Sequence, residues 1–118
     1  NKGKKGELKF ERPLELYQQG GAMVHNDSPA PYAVDWDNDG DLDIISGGCS
    51  GNLMYYENIA GKGNPPQFKA GIYLRDDTNE RFFVNAVKAG GTVQGMEEQY
   101  WGYLTVVPAD VDYDGDLD

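Results

Sequence analysis

Histidine and cysteine are almost missing from these 118 residues, with one of each, His25 and Cys49. A lone thiol excludes a disulfide framework within the chain and a cysteine-based zinc site. It leaves two readings for Cys49, between Gly48 and Ser50: a small residue in a tight turn, or the partner of a cysteine elsewhere. Long apolar runs are absent too. Nothing approaches the roughly 18 residues of a membrane-spanning helix, so no membrane span is expected. Positive charge is scarce, with 10 Lys and Arg against 20 Asp and Glu and a net charge of −10. That balance excludes a nucleic-acid surface, which needs a basic stripe. Uninterrupted stretches are also rare, because 16 glycines and 6 prolines break the chain too often for long helices.

What the chain does have is acid, and the acid is concentrated. Asp35, Asp37, Asp39, Asp41 and Asp43 form one cluster, and Asp110, Asp112, Asp114, Asp116 and Asp118 form a second. The remaining ten acids balance the ten bases, so the chain is neutral away from the clusters. An acidic disordered tail would not show this pattern.

The two clusters are copies of one segment, 75 residues apart and identical at seven of nine positions. A second, weaker echo joins Asn1, Lys5, Gly6 and Phe10 to Asn58, Lys62, Gly63 and Phe68. Together they define a repeat of about 60 residues, with about 17 more inserted between Phe68 and Asp110. The expected organisation is therefore residues 1–28 as the end of one unit and its connection, and 29–75 as a complete unit. Residues 76–101 form an inserted loop, and 102–118 begin the next unit. On this phase the chain is a piece of a longer protein.

The middle unit reads as four short strands, at residues 32–36, 42–46, 52–57 and 68–74. Pro29 and Pro31 stop any helix ahead of the first, and Gly47, Gly48 and Gly51 supply the turn between the second and third. Residues 81–88, apolar at Phe82, Phe83, Val84, Ala86 and Val87, fit either a strand or a short helix.

Alternate aspartates in the order D-x-D-x-D-G-D-x-D suit a loop wrapped around a hard cation. Ca²⁺ takes six to eight oxygens, and loop positions 1, 3, 5, 7 and 9 turn inward when the chain bends sharply at position 6. Gly40 and Gly115 occupy that sixth position, where positive φ is cheap only for glycine. Asp35, Asp37, Asp39 and Asp43 are the expected side-chain ligands. Asp41, at position 7, is expected to offer its carbonyl and turn its carboxylate outward. The other reading is a solvated acidic turn with no metal. An EF-hand is excluded, since position 12 is Ser46 and the flanks are strands.

The strand–loop–strand setting resembles the FG-GAP/VCBS repeat. The matching elements are residues 35–43, then Ile44-Ile45, the Gly48 to Gly51 turn, and Tyr55-Tyr56-Glu57-Asn58. The resemblance implies an all-β fold, a fragment of a β-propeller with one complete four-stranded blade and parts of two neighbours. It also implies Ca²⁺ pinned between the first two strands of each blade, and a secreted or cell-surface location. Two functions follow from it. One is an extracellular scaffold that binds glycan or protein. The other is part of a propeller polysaccharide lyase or glycosidase acting on acidic plant or algal polysaccharides. For the second, His25 is the candidate catalytic base or acid, against the plainer reading of an inert loop histidine. Tyr100, Trp101 and Tyr103 are candidate sugar-stacking rings, against packing between blades.

Overall fold

The computed structural model describes residues 3–23, 28–84 and 104–118. They contain no helix. Six strands form two antiparallel sheets, so the described chain is all-β. The larger sheet is a meander of β3 (Ala30–Val34), β4 (Asp43–Gly47), β5 (Met54–Tyr56) and β6 (Ile72–Tyr73), paired in chain order. These correspond to the four strands expected of the middle unit, the first two shifted by one or two residues and the last two shortened, the fourth to Ile72–Tyr73 alone. β3 ends at Val34 because Asp35 and Trp36 already belong to the acidic loop, where the Trp36 amide donates to Asp43 Oδ2 at 3.1 Å. Pro31 is accommodated because β3 is an edge strand, so its missing N–H costs no ladder bond in the sheet's centre.

β4 is the centre of the fold. Ile44 lies opposite Ala33 and Tyr56, and Ile45 lies opposite Tyr32 and Tyr55, so the two isoleucines serve opposite faces. Most of β4 is buried on both faces, which a single half-solvated sheet cannot provide. Each face has its own cover. On the Ile44 face, Leu16 and Met23 close a cavity of about 280 Å³ against Pro31, Ser46 and Tyr56. On the Ile45 face, Leu104 donates from its amide to the Gly48 carbonyl at 2.9 Å and lies against Gly47. Val106 and Asp118 share a cavity of about 390 Å³ there with Trp36, Ile45, Leu53 and Phe82. The core proper is Ile45, Tyr55, Tyr56 and Phe68. Full burial of a side chain such as Ile45 contributes about 1.5–3 kcal/mol.

A small hairpin, β1 (Tyr17–Gln18) with β2 (Gly21–Ala22), docks on the sheet's outer end. Its two-residue turn uses Gly20 at φ +94°. The Gln19 amide donates to the Phe68 carbonyl at 2.8 Å, and the Gly71 amide donates to Gln18 Oε1 at 2.8 Å. The Gly20-Gly21 pair is the sequence signal for this hairpin, which the strand pattern alone did not reveal.

The inserted segment begins as a reversal just after β6. Asp76 Oδ1 accepts from the Thr78 amide, the Thr78 hydroxyl and the Glu80 amide, which fixes the turn. The chain then returns along β6, with the Phe82 amide donating to the Leu74 carbonyl at 2.9 Å and Arg81 stacked 3.8 Å over the Tyr73 ring. Residues 81–84 are extended rather than helical, and the rest of that stretch lies outside the described residues. Cys49 sits half-buried as a free thiol in the turn where the Gly51 amide donates to the Gly48 carbonyl.

Candidate metal centre

The first acidic loop joins β3 to β4. Mutual repulsion between its carboxylates would open it, by about 1 kcal/mol per pair at 4 Å in water and about 4 at an effective dielectric of 20. Backbone donors oppose this. The Gly40 amide donates to Asp35 Oδ2 and the Asp41 amide to Asp39 Oδ1, both at 3.0 Å. Asn38 at φ +61° and Gly40 at φ +93° give the bend that aims these amides inward. Asp35, Asp37 and Asp39 each bring one carboxylate oxygen within 4.8 Å of the others. Partial desolvation first, and then the charges of Asp43 and Asp39, hold the exposed Asp37 carboxyl above its ordinary range. Asp35 Oδ1 is buried and has no hydrogen-bond donor. An all-oxygen set with such an atom in it fits a hard divalent cation and not a soft one.

The second loop repeats the design. Tyr113 at φ +65° and Gly115 at φ +100° stand where Asn38 and Gly40 stand in the first. The Gly115 amide donates to Asp110 Oδ2 and the Asp116 amide to Asp114 Oδ1, both at 3.1 Å. The Val111 amide donates to Asp118 Oδ2 at 3.0 Å, as Trp36 does to Asp43. Here Asp110, Asp112 and Asp118 gather their oxygens within 4.8 Å. Positions 1 and 3 thus converge in both loops, position 5 in the first and position 9 in the second. Asp114 is held below its ordinary range, chiefly by the Asp116 amide, and Asp116 above it, chiefly by its hydrogen bond to Asp114.

Two aspartates of the first loop lie outside its oxygen group. Asp43 is fully buried, and its carboxylate accepts from three donors: Asn58 N at 2.7 Å, and Trp36 N and Tyr55 Oη at 3.1 Å. Its charge is solvated by the fold itself. Asp41 is not in the group; its Oδ2 accepts from the Gly61 amide at 2.7 Å, and its Oδ1, like Asp35 Oδ1, is buried without a hydrogen-bond partner.

The residue that sequence reasoning passed over is Asn58. Its amide holds Asp43, its Nδ2 donates to the Leu42 carbonyl at 3.2 Å, and its Oδ1 accepts from Ala60 and Gln67 at 3.2 and 2.9 Å. Asn58 thereby ties residues 58–67 to the exit of the acidic loop. The sequence carried a trace of this, since Asn58 closes the aromatic-Glu-Asn element.

Tyr55 offers a direct check on this arrangement. Burial, and then the hydrogen bond to Asp43, push its phenol well above its ordinary value, and burial raises Tyr56 too. A raised tyrosine pKa means that the folded state retains the proton longer than the unfolded chain does. Stability contributed this way is complete below pH 10.0 and is lost as pH rises above it. Absorbance titration should therefore show Tyr55 and Tyr56 ionising only together with alkaline unfolding. Ionisation of Tyr55 near pH 10 with the sheet intact would contradict the buried Tyr55–Asp43 pair.

His25 and residues 100–103, the candidates for catalysis and sugar stacking, lie outside the described residues. No family model, curated protein or solved structure matches the chain.

Proposed function

We propose that this chain is a calcium-binding segment of a secreted β-propeller of the FG-GAP/VCBS kind, serving as an extracellular scaffold that contacts glycan or protein. The observation that carries the reading is the duplicated loop. Two segments 75 residues apart in sequence adopt the same backbone bend and the same amide–carboxylate bonds, and each converges three carboxylates. A buried carboxylate oxygen without a donor, Asp35 Oδ1, supports a cation in the first. The four-stranded meander, covered on one face by earlier residues and on the other by later ones, supports stacked blades.

Asp35, Asp37 and Asp39, with Asp110, Asp112 and Asp118, would hold the ions. Calcium bound there neutralises the crowded carboxylates and fixes the loop, which is structural work. Affinity on the order of 10⁻⁴ to 10⁻³ M, usual for extracellular modules, suits a calcium-rich exterior. The polysaccharide-cleaving alternative rests on His25 and gains no support from the described residues.

Calorimetric titration should give two calcium sites per chain, and Asp37→Ala should remove one of them. At calcium a hundredfold above Kd, unfolding should become harder by about 2.7 kcal/mol for each occupied site. Absence of both binding heat and stabilisation would refute the calcium reading.

A further inference from the structure

Asp41, at the seventh position of the first loop, is tied to a distant segment of the chain. Asp41 is 8% exposed, and its Oδ2 accepts from the Gly61 amide at 2.7 Å, across 20 residues of sequence. Gly61 belongs to a strap whose near end is fixed by Asn58, bonded to both Asp43 and Leu42. The strap turns back at Gly61 and Gly63, at φ +79° and +82°, and this brings Lys62 over the sharp bend of the acidic loop. A Cβ placed on Gly40 would stand 3.7 Å from Lys62 Cδ, so the lysine stem lies beside the bend.

We propose that Asp41 is a positioning residue. It clamps the 58–64 strap over the first acidic loop and so braces this loop for its cation. The proposal rests on the calcium reading above and adds to it a residue that acts without touching the ion. The physical argument is preorganisation. A loop of mutually repelling carboxylates must be gathered before a cation binds, and any contact that gathers it in advance improves affinity by that amount. Asp41 is suited to this because its carboxylate accepts a short backbone bond while its own amide holds Asp39, a member of the converging group. Coupling of this kind is reciprocal, so the cation must in turn tighten the strap.

The test uses the chain with Asp112→Ala as background, which leaves the first loop as the site, and terbium as the probe, excited through the adjacent Trp36. Adding Asp41→Ala should weaken terbium binding about tenfold, equivalent to about 1.4 kcal/mol. Asp41→Asn keeps an oxygen for the Gly61 amide and loses the charge, so its affinity should stay within about twofold of the background chain. In the otherwise unaltered chain, exchange of the Gly61 amide with solvent should slow when calcium is added. Failure of the background chain to bind terbium would overturn the calcium reading, and this proposal with it. Binding that is equal in the background and Asp41→Ala chains would overturn only the brace. So would Asp41→Asn binding as weakly as Asp41→Ala, since the charge would then be the cause. If Asp41→Ala does not fold, the Gly61 exchange decides: a rate unaffected by calcium overturns the brace.

Discussion

Replacing Asp43 with alanine is expected to destabilise the metal-free chain by about 3–4 kcal/mol, which removes a large part of a typical domain's stability. Three donors converge on this one carboxylate, and two of them, the Asn58 amide and the Tyr55 hydroxyl, are buried with it. Truncation strands each of them without water, and a stranded buried donor costs about 1–3 kcal/mol. Asp43→Asn should fare little better, because its NH₂ group must face a donor where an oxygen stood. Asp37→Ala makes the contrast. Asp37 is exposed and sits among like charges, so in chelator its removal should leave stability unchanged or slightly raised. Urea denaturation of the three variants in chelator would measure this. If Asp43→Ala and Asp37→Ala unfold at the same midpoint, Asp43 is not the buried anchor described above.

Gly71→Ala should cost about 1–3 kcal/mol by overpacking, and a larger side chain more. The cause is steric and local. An added Cβ would overlap the Tyr56 ring, which is 2% exposed and has no room to withdraw. Backbone strain does not contribute, since Gly71 is not among the glycines at positive φ. Shrinking the ring should therefore compensate. Gly71→Ala combined with Tyr56→Leu should be less destabilising than the sum of the two single changes, a difference that a double-mutant cycle reads directly. Additive costs would show that the two sites do not touch. Gly63→Ala serves as a control of the opposite kind: it meets nothing within 4 Å but sits at φ +82°, so its cost of about 1 kcal/mol comes from the backbone alone.

Much of this was readable from the residues, for identifiable reasons. The acidic loops announce themselves because a Gly between alternating aspartates has few other uses. The four strands of the meander announce themselves because β-branched and aromatic residues alternate with turn formers. What escaped the sequence was the direction in which individual carboxylates point. Asp41 and Asp43 belong to the same motif as Asp35, Asp37 and Asp39. Yet the fold turns one toward Gly61 and buries the other beneath Tyr55 and Asn58. Those choices depend on residues 12 to 20 positions away, which no local pattern encodes. The β1–β2 hairpin escaped for a related reason: its two-residue strands are too short for alternation to register, and docking at Phe68 holds them in place.

The two covers of β4 are made at different times. Leu16 and Met23 leave the ribosome before the sheet they cover, so the Ile44 face has its partners ready as soon as β6 is complete. Leu104 and Val106, which line the Ile45 face, follow about 30 residues after Tyr73, and Asp118 about 45. At the roughly 5–20 residues per second of translation, that face stays bare for a few seconds. During that interval the nascent chain presents Ile45 and Trp36 to its surroundings, and it is then that a chaperone, or a neighbouring nascent chain, has its opening.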